Sequence, residues 1–439
     1  MRTELFYLSL MTLLGLTFPV YADELTFENC PTCRSCGENC KYILDGSKLT
    51  LYAPTQADES GSIPEGIFTS GVLPNKSQIE EVEIKGNLTT VSDLAFYQCT
   101  SLKSITLPQS IQFVGNCAFC SSGLTNVTFS DNSELKTIDA RAFLNGSLSS
   151  IDFGANSKLE TIGNDAFGNA SLTSISIPSS VKTIGRDAFS NCTNLENLTF
   201  DENSQLESIG QNAFWRNTSL TSISLPSSLQ TIGEGAFLNS ALESISFGTD
   251  SELKSIGKSA FAGARNLKNI VIPASVETIG DLAFYDGNYK CPAGPVVFEG
   301  IPQTIGRAIF QGSPKIYCLT TFEACSDLSR NVQYYKKTDN GLYVLTDAND
   351  QILKDDQGNP SYFLSAELMA RGKSCSTEAE CEEIKTALQS GRSFLVNGKF
   401  YDSLSDWISG NYARKRIYTV EEAEKLTKPT GNQFKIRYK

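Results

Sequence analysis

The sequence predicts a β-rich α/β solenoid that follows a cysteine-rich N-terminal cap and precedes a small α+β region. Two observations predict the solenoid. An Ala-Phe or Ile-Phe step recurs ten times, at spacings of 22 to 26 residues. Each period also contains a short alternation of apolar and polar residues, which is typical of a half-buried strand. The ten phenylalanines are Phe96, Phe119, Phe143, Phe167, Phe189, Phe214, Phe237, Phe261, Phe284 and Phe310.

The N-terminus predicts export. Arg2 precedes the apolar run Leu5–Phe18, Pro19 ends this run, and Ala22 supplies a small residue for cleavage. The run has fourteen residues, too few to cross a bilayer comfortably. The last residues, Phe434–Lys439, are polar, so we expect no hydrophobic tail for a lipid anchor. We therefore predict a secreted or cell-surface protein without a transmembrane segment, in a setting that permits disulfides.

These features divide the 439-residue chain into four predicted segments. They are a signal peptide at 1–22, the cap at 23–78, ten repeats at 79–312 and a C-terminal α+β region at 313–439. One repeat cannot bury its own Leu, Ile and Phe side chains, so neighbouring repeats must stack and share a core. At roughly 4.7–4.9 Å between stacked strands, ten repeats span about 50 Å.

Charge and composition argue against several classes of function. The chain has 37 Lys plus Arg against 49 Asp plus Glu, a net charge of −12, which argues against general nucleic-acid binding. It contains no histidine, which removes Ser-His-Asp and Cys-His catalytic arrangements and every zinc site that needs imidazole. We therefore expect a protein that is not an enzyme and that has no catalytic, cofactor-binding or metal-binding residues.

Four cysteines of the cap have the spacing C-x2-C-x2-C-x3-C. They are Cys30, Cys33, Cys36 and Cys40. Bacterial ferredoxins hold iron–sulfur clusters with this spacing, and structural zinc is a related alternative. Here Lys41 follows the last cysteine, where the ferredoxin run carries proline, and no second matching run exists. We therefore favour disulfides that staple the cap.

The segment Leu172–Cys192 (LTSISIPSSVKTIGRDAFSNC) shows how one repeat is built. Ile175 and Ile177 alternate with serines, which predicts a short strand with one buried face. Pro178 cannot extend the strand ladder and ends it. A second apolar step follows between residues 181 and 184, and Gly185 then suits a tight turn. The segment around Phe189 predicts a single helical turn.

Two forms of the repeat mostly alternate along the chain. In the first form a proline closes the first strand: Pro108, Pro178, Pro226 and Pro273. In the second form a phenylalanine stands there and a longer loop follows: Phe129, Phe153, Phe200 and Phe247. The longer loops share a position occupied by Asn132, Asn156, Asn203 and Asp250. Oxygen ligands of this kind suit calcium. The same residues are ordinary turn formers, and no loop has a calcium-motif spacing, so we favour turns.

These repeats resemble the BspA-like leucine-rich repeat family. The shared pattern is L-x-x-I-x-[LI]-P-x-S-[VIL]-x-x-I-G-x-x-A-F, and it covers about 235 of the 439 residues. The resemblance implies a curved, right-handed leucine-rich repeat array with a parallel sheet on one face. It further implies a secreted or cell-surface protein that acts in adhesion or protein binding. Residues 36–51 also look like the N-terminal cap of such proteins, with strands around the Asp45-Gly46 turn.

The repeats carry further cysteines. We predict a disulfide between Cys99 and Cys120, because neighbouring repeats place them close together, with Cys117 as the competing partner. Cys192 has no cysteine in an adjacent repeat, so we expect a free buried thiol that acts as a small hydrophobe.

The outward positions of the first strands form the candidate partner-binding face. They are mostly small and hydroxylic and lack the Trp, Tyr and Arg side chains of typical binding hot spots. A partner on this face would be held by breadth and avidity, and a solvated face without a partner is the alternative. The candidate residues are Ser104, Thr106, Ser174, Ser176, Ser222, Ser224, Ser244 and Ser246.

The period is lost after about residue 313, and a mixed pattern follows. Gly341–Thr346 and Arg392–Val396 predict short strands, and Cys375 and Cys381 are candidates for a disulfide that closes a short loop. This region is expected either to cap the far end of the repeats or to dock the protein on an envelope or a partner.

Helices and a final strand are also predicted in this region. Thr377–Ser390 predicts a helix with Thr377 as its N-cap and Glu380 three residues on. Val420–Leu426 predicts a second helix and Gln433–Tyr438 a strand.

The sequence thus predicts an exported leucine-rich repeat protein that binds a protein or glycan on a cell, host or matrix surface. The alternative is a structural envelope component whose repeats act as a spacer and whose C-terminal region attaches it.

Overall fold

The computed structural model describes residues 28, 30, 32–37, 39–55, 61–65, 76–285, 294–310, 315–319, 331–347, 350–355, 358–365, 368–369, 373–390, 394–396, 399–401 and 403–409. The predicted signal peptide at 1–22, helix Val420–Leu426 and strand Gln433–Tyr438 lie outside these ranges. The chain forms two compact units. The first comprises Met1–Asn266, Ser275–Gly287 and Gln303–Ile309, and the second comprises Leu267–Ala274, Asn288–Pro302 and Phe310–Lys439.

The cap is a three-stranded antiparallel sheet that leads directly into the repeats. Arg34–Gly37 pairs with Cys40–Asp45, which pairs with Lys48–Tyr52 through a turn at Gly46, whose φ is +59°. The predicted hairpin is therefore confirmed. Lys48–Tyr52 then pairs in parallel with Glu81–Lys85, the first strand of the first repeat.

The remainder of the cap supplies a second strand to the array. Gly61–Ile63 pairs in parallel with Leu88–Val91, and a 3-10 turn occupies Lys76–Gln78. Residues 48–63 thus contribute one strand to each side of the solenoid, in the same order as a repeat does. The cap therefore contains a coil that protects the apolar edge of the first repeat.

The first strands of the repeats form parallel sheets in short groups. The alternation of Ile with Ser or Thr gives each strand one buried and one exposed side, as the period of two requires. In the first unit the groups are Ser104–Leu107, Asn126–Phe129 and Ser150–Asp152; Ser174–Ile177 and Asn197–Phe200; and Ser222–Ser224 and Ser244–Ser246.

A second and longer parallel sheet forms from the second apolar step of each repeat. We call it the Thr-Ile sheet, because its rungs are mostly two residues, a Thr or Ser followed by a buried Ile. Eleven strands pair in chain order, so the Thr-Ile sheet is continuous. The sheets formed by the first strands of the repeats are interrupted. Its strands are Gly61–Ile63, Leu88–Val91, Phe113–Val114, Thr137–Ile138, Thr161–Ile162, Thr183–Ile184, Ser208–Ile209, Thr231–Ile232, Ser255–Ile256, Thr278–Ile279 and Thr304–Ile305.

Glycine follows eight of the eleven rungs of the Thr-Ile sheet, and close stacking requires it there. Gly185 was expected to serve a tight turn, but its φ is not positive. A Cβ on Gly210 would lie 2.6 Å from the carbonyl carbon of Gly185, and one on Gly233 would lie 2.6 Å from that of Gly210. Real Cβ atoms do not approach backbone this closely, so the coils can stack here only without side chains.

The segment around each phenylalanine is a turn with left-handed residues and not the predicted helical turn. The residue two before each of the ten phenylalanines has a positive φ, as Asp187 does at 54°. Its backbone N–H therefore points along the array, and Asp187 N donates to Gln211 O at 2.8 Å. Phe189 N donates in the same way to Ala213 O at 2.8 Å. The turns thus join neighbouring coils by hydrogen bonds, which a helical turn would keep within one coil.

The core of the first unit is a continuous stack of aromatic rings. Nine phenylalanines, from Phe96 to Phe284, lie parallel with centroids 5.0–5.3 Å apart and interplanar angles of 2–8°. All nine are at most 1% exposed. Phe310 belongs to the second unit and meets Phe298 edge-on at 6.3 Å. The ring stack therefore sets the axial repeat together with the strand ladders.

The second unit contains a six-stranded mixed sheet. Three of its neighbouring strand pairs are parallel and two are antiparallel. In sheet order they are Ile270–Ile272, Val296–Phe298, Lys315–Leu319, Asn331–Lys337, Tyr343–Thr346 and Tyr362–Phe363. The first two come from the last two repeats, so this unit begins within the repeat array of the sequence.

The rest of the second unit is helical and hairpin structure. The helix Glu378–Gln389 has Thr377 as its N-cap, and Glu380 N donates to Thr377 Oγ1 at 3.1 Å. The predicted helix and cap are therefore confirmed. Phe394–Val396 and Lys399–Tyr401 form a hairpin, and Leu404–Ser409 is a short helix.

Candidate functional site

The exposed side of the first strands is the predicted binding face. In the strand Ser174–Ile177 both serines are exposed and both isoleucines are buried, and Ser104–Leu107 shows the same alternation. We call this surface of seven strands the hydroxyl face. Its residues are Ser104, Thr106, Asn126, Thr128, Ser150, Asp152, Ser174, Ser176, Asn197, Thr199, Ser222, Ser224, Ser244 and Ser246, all exposed.

In-register pairing arranges these side chains in two rows. Parallel strands place equivalent residues opposite each other, so Ser104 pairs with Asn126 and Thr106 with Thr128. The other predicted candidates pair in the same way: Ser174 with Asn197, Ser176 with Thr199, Ser222 with Ser244 and Ser224 with Ser246. The structure therefore brings all eight predicted residues to outward positions of one repeated strand.

Hydrogen bonds between rungs orient several of these polar groups. Asn126 Nδ2 donates to Ser150 Oγ at 2.7 Å. Thr199 Oγ1 donates to Ser176 Oγ at 3.1 Å, and Ser176 Oγ donates to Asp201 Oδ1 at 2.6 Å. Asp201 lies in a longer loop, and sequence analysis did not assign it to the face. The Asp201 carboxylate therefore fixes a short chain of hydroxyl donors on the surface.

The strands that precede the hydroxyl face carry charged side chains in place of small hydroxyls. Lys48 Nζ lies 2.8 Å from Glu81 and 3.1 Å from Glu83, and Lys85 Nζ lies 3.6 Å from Glu83. Hydrogen bonds that Lys48 donates to the Glu81 and Glu83 carboxylates raise the pKa of Lys48. Partial burial would raise the pKa of Glu83, but the hydrogen bond from Lys48 and the charge of Lys85 outweigh it, so that pKa is lowered. The face thus changes from an ion-pair network to a mostly uncharged surface after the first repeat.

The longer loops have a geometry that accounts for their Asn and Asp residues. Asn132, Asn156, Asn203 and Asp250 all have φ between 54° and 58°. Asn and Asp adopt this left-handed conformation more readily than other residues with a side chain. Asn156 Nδ2 also donates to Asn132 Oδ1 at 3.0 Å, which links two neighbouring loops. These positions are therefore turn positions.

Disulfides cross-link the cap and other segments of the chain. One predicted disulfide is wrong. Within the described residues they join Cys30 to Cys33, Cys36 to Cys40, Cys117 to Cys120 and Cys375 to Cys381. Cys318 is also disulfide-bonded. The predicted Cys99–Cys120 pair does not form, because Cys117 and Cys120 belong to one turn with Cα atoms 4.7 Å apart. Cys99 points into the core as a free buried thiol, and Cys192 is a free buried thiol as predicted.

One turn carries Trp215 and Arg216, residue types that are common at binding sites, and sequence analysis did not identify them. The Arg216 guanidinium lies 4.5 Å from the Trp215 ring centroid, which is a cation–π contact. Arg216 has a φ of 58°, at a position where neighbouring coils carry Asn191 and Asn239. The signal was available in the sequence, since Trp and Arg are typical of binding hot spots and Arg216 stands where several other repeats carry Asn.

Comparison with known proteins identifies the family to which the repeats belong. A family model described as a BspA type leucine rich repeat region, in six copies, matches residues 67–196 and 160–290, which together exceed half of the chain. No curated protein sequence matches the chain. Within the described ranges, no helix combines the length and apolarity needed to cross a membrane.

Solved structures that are similar to the chain include the following three. A leucine-rich repeat protein from Eubacterium ventriosum has 19% identity and a TM-score of 0.41, covering 65% of this chain and 77% of that one. The pneumococcal vaccine antigen PcpA has 21% identity and a TM-score of 0.29, covering 74% and 99%. A leucine rich cell surface protein from Faecalibacterium prausnitzii has 21% identity and a TM-score of 0.23, covering 64% and 96%.

The repeat period, the stacked coils with their buried phenylalanines and the family match point to one assignment. The chain belongs to the BspA-type leucine-rich repeat family.

Proposed function

We propose that this protein is an exported scaffold that binds a protein or glycan on a cell, host or matrix surface through the hydroxyl face. The observation that carries the proposal is the run of fourteen exposed, mostly uncharged polar side chains in two rows on seven strands. Each hydrogen bond to a partner contributes only about 0.5–1.5 kcal/mol net. A useful affinity therefore requires many such contacts at once, which a repeated surface supplies.

Export is supported by the covalent chemistry of the chain. Disulfides persist in oxidising compartments and are rare in the cytosol. The described residues contain four complete disulfides, two of which lie in the cap. Together with the apolar run that precedes Ala22, this supports secretion or surface display.

The binding test introduces arginine into the hydroxyl face. The double substitution Ser176→Arg, Ser224→Arg places two long cations on exposed positions without touching the core. The matched control, Ser147→Arg with Thr218→Arg, also replaces two small hydroxyl side chains by arginine, at exposed residues outside the strands. Purified proteins are compared for binding to cells and to extracellular matrix preparations, after circular dichroism has verified the fold. We expect the face variant to lose at least about tenfold in affinity and the control to keep it.

Two outcomes contradict the proposal. If the unsubstituted protein binds none of the preparations, adhesion is the wrong function. If the face variant binds as well as the control, another surface makes the contact.

The alternative function, a spacer within an envelope, is favoured by the continuous eleven-stranded sheet and the unbroken ring stack, because both resist bending. A spacer does not need the hydroxyl face. Surface labelling of intact producing cells with the face variant separates the two functions: a spacer is retained and works normally, whereas an adhesin is displayed but no longer attaches.

A further inference from the structure

The Thr-Ile sheet presents two columns of exposed side chains in addition to its Thr and Ser. The first column is the residue that precedes each rung, and backbone bonds such as Lys182 N to Glu160 O at 2.9 Å place its members in neighbouring coils. We call it column A: Gln112, Lys136, Glu160, Lys182, Glu207, Gln230, Lys254, Glu277 and Gln303. Column B is the second residue after each rung, with Asn116 and Ala140 half-buried and the others exposed: Asn116, Ala140, Asn164, Arg186, Gln211, Glu234, Lys258, Asp281 and Arg307.

Pairing within one chain does not explain the whole pattern. Lys182 Nζ lies 3.4 Å from Glu160, and Lys254 Nζ lies 3.5 Å from Glu277, both in column A. Exposed pairs of this kind contribute only about 0–1 kcal/mol. Lys136 has no ion pair within the described residues, although it stands in the same column. Column A therefore retains charge that a partner can meet. In column B, Arg186 Nε lies 3.1 Å from Asp187 and Lys258 Nζ lies 3.6 Å from Glu234, so a partner would compete with these exposed pairs.

We propose that two copies of this chain associate through their Thr-Ile sheets, with a twofold axis parallel to the strands and passing through the coil of Glu207. A twofold interface brings the same surface patch together twice, so residue i meets residue j and j meets i. Identical copies have identical coil spacing, so their columns match coil by coil. The axis reverses the coil order, which places each column against the same column of the other copy.

The charges of column A are complementary under this reversal. The centre of symmetry is the coil of Glu207, so the coils pair outward from it. The resulting contacts are Lys182 with Gln230, Glu160 with Lys254, Lys136 with Glu277 and Gln112 with Gln303. Like charges meet at one point, where Glu207 faces Glu207 of the second copy.

Column B is complementary about the same centre. Its contacts are Arg186 with Glu234, Asn164 with Lys258, Ala140 with Asp281, Asn116 with Arg307 and Gln211 with itself. No like-charged pair occurs in it. The two columns have different charge patterns, and both must be complementary at once. Together they select one register of association more firmly than a single column would.

The size of the contact predicts a weak dimer. Nine coils at about 4.8 Å extend roughly 40 Å, and the five residues from column A to column B extend about 15 Å. The product is about 600 Å² per copy, at the lower limit for a specific interface. The Thr and Ser between the columns are small, so no bulky side chain keeps the sheets apart. We expect a dissociation constant in roughly the micromolar range and weaker association in high salt.

The inference is independent of the proposed binding function. The hydroxyl face is built from the other strand of each coil, so the dimer leaves it free in both copies. If that face binds a surface-displayed partner, two linked copies gain avidity without any new contact.

The test is sedimentation analysis of the full-length protein across a range of concentrations. Lys136→Glu puts glutamate opposite Glu277 at two symmetric places and is expected to weaken dimerisation about tenfold. Adding Glu277→Lys exchanges the two charges of this pair. It is expected to restore the dissociation constant of the dimer to within about twofold of that of the unsubstituted protein. Lys103→Glu is the matched control: it makes the same charge change at an exposed residue that precedes the strand Ser104–Leu107, and it is expected to have no effect.

Three results overturn the inference. The unsubstituted protein stays monomeric at every concentration; Lys103→Glu weakens the dimer as much as Lys136→Glu does; or the double substitution fails to restore association. A dimer that ignores Lys136→Glu also rejects this register, because a shift by one coil would place Lys136 opposite Gln303 or Lys254 in place of Glu277.

Discussion

Cys192 Sγ donates a hydrogen bond to the carbonyl oxygen of Phe167, one coil earlier, at 3.2 Å. Asn217 repeats the contact one coil later, where its Nδ2 donates to Phe189 O at 3.1 Å. Both side chains are fully buried. The position three residues after the phenylalanine therefore satisfies a backbone carbonyl inside the core, where an unpaired acceptor would be costly.

Burial gives these thiols a pH dependence that can be measured. Loss of hydration raises the pKa of Cys192 to about 12, and the same cause raises that of Cys99 to about 12. Unfolded cysteine has a pKa of about 8.5. Between these values the unfolded chain releases protons that the folded chain retains, so the free energy of unfolding falls as pH rises.

We predict that Cys192→Ser removes part of this alkaline loss. Serine keeps a donor for Phe167 O but does not titrate in this range. Urea unfolding of both proteins is measured at pH 7.5, 9 and 10. The free energy of unfolding of the parent protein minus that of the variant should fall by up to about 1.4 kcal/mol per pH unit above pH 9. Parallel stability curves for the two proteins would show that the thiol proton is not involved.

The ring stack predicts a large cost for a central truncation. Phe189 lies 5.0 Å from Phe167 and 5.3 Å from Phe214, measured between ring centroids. Phe189→Ala leaves a cavity between two rings and is expected to lower the free energy of unfolding by about 3–5 kcal/mol in urea titration. Ser224→Ala, on the exposed face, is the control and should change it by less than about 0.5 kcal/mol. Similar values for both would mean that the stack adds little to stability.

At Gly46 and Gly210, asparagine and alanine substitutions are expected to rank in opposite orders of stability. Gly46 has a φ of +59° and open space around its Cα, so Gly46→Ala should cost about 1–2 kcal/mol and Gly46→Asn less. Gly210 has no positive φ, but a Cβ there would lie 2.6 Å from Gly185. Gly210→Ala should cost about 1–3 kcal/mol, and the larger Gly210→Asn more. Thermal or urea unfolding gives the order, and relief by asparagine at position 210 would contradict close stacking as the cause.

Asparagine side chains form a ladder along the turns. Asn169 Nδ2 donates to Asn145 Oδ1 at 2.8 Å, and Asn191 Nδ2 donates to Asn169 Oδ1 at 2.7 Å. Asn169 also has a left-handed backbone, with a φ of 57°.

Substitutions at Asn169 separate the two roles of this residue. Asn169→Gly keeps the backbone conformation but loses both hydrogen bonds, and should cost about 1–2 kcal/mol of unfolding free energy. Asn169→Ala loses the bonds and adds backbone strain of about 1–2 kcal/mol. Urea unfolding of the three proteins should therefore give the order Asn, Gly, Ala, and an alanine variant as stable as the glycine variant would exclude the strain.

Local patterns were enough to predict much of the fold. The Ile and Phe spacing identified the inward side of each strand and the residues of the ring stack. Thr377 was predicted as a helix cap because the capping pattern is complete within four residues. The eight hydroxyl-face candidates were identified because alternation along a strand decides which side chains face outward.

Other features depend on contacts between coils. The Cys99–Cys120 prediction used the correct spacing between repeats but could not include the turn geometry at Cys117, whose φ of 53° belongs to a turn that also contains Cys120. Asp201 lies beyond its strand, and only the folded loop brings it to Ser176. The continuous Thr-Ile sheet was also missed as a sheet, because two-residue rungs have no alternation to detect.

The amino-acid sequence by itself determined that this chain is a stack of similar coils, because a period near 24 residues with one buried phenylalanine can be satisfied only by neighbours of the same kind. The tertiary structure decided which strands form the continuous sheet, which cysteines pair and which charges stand in columns. These features depend on distances between residues of successive coils, and such distances are set by how closely the backbones stack and not by any pattern within one repeat.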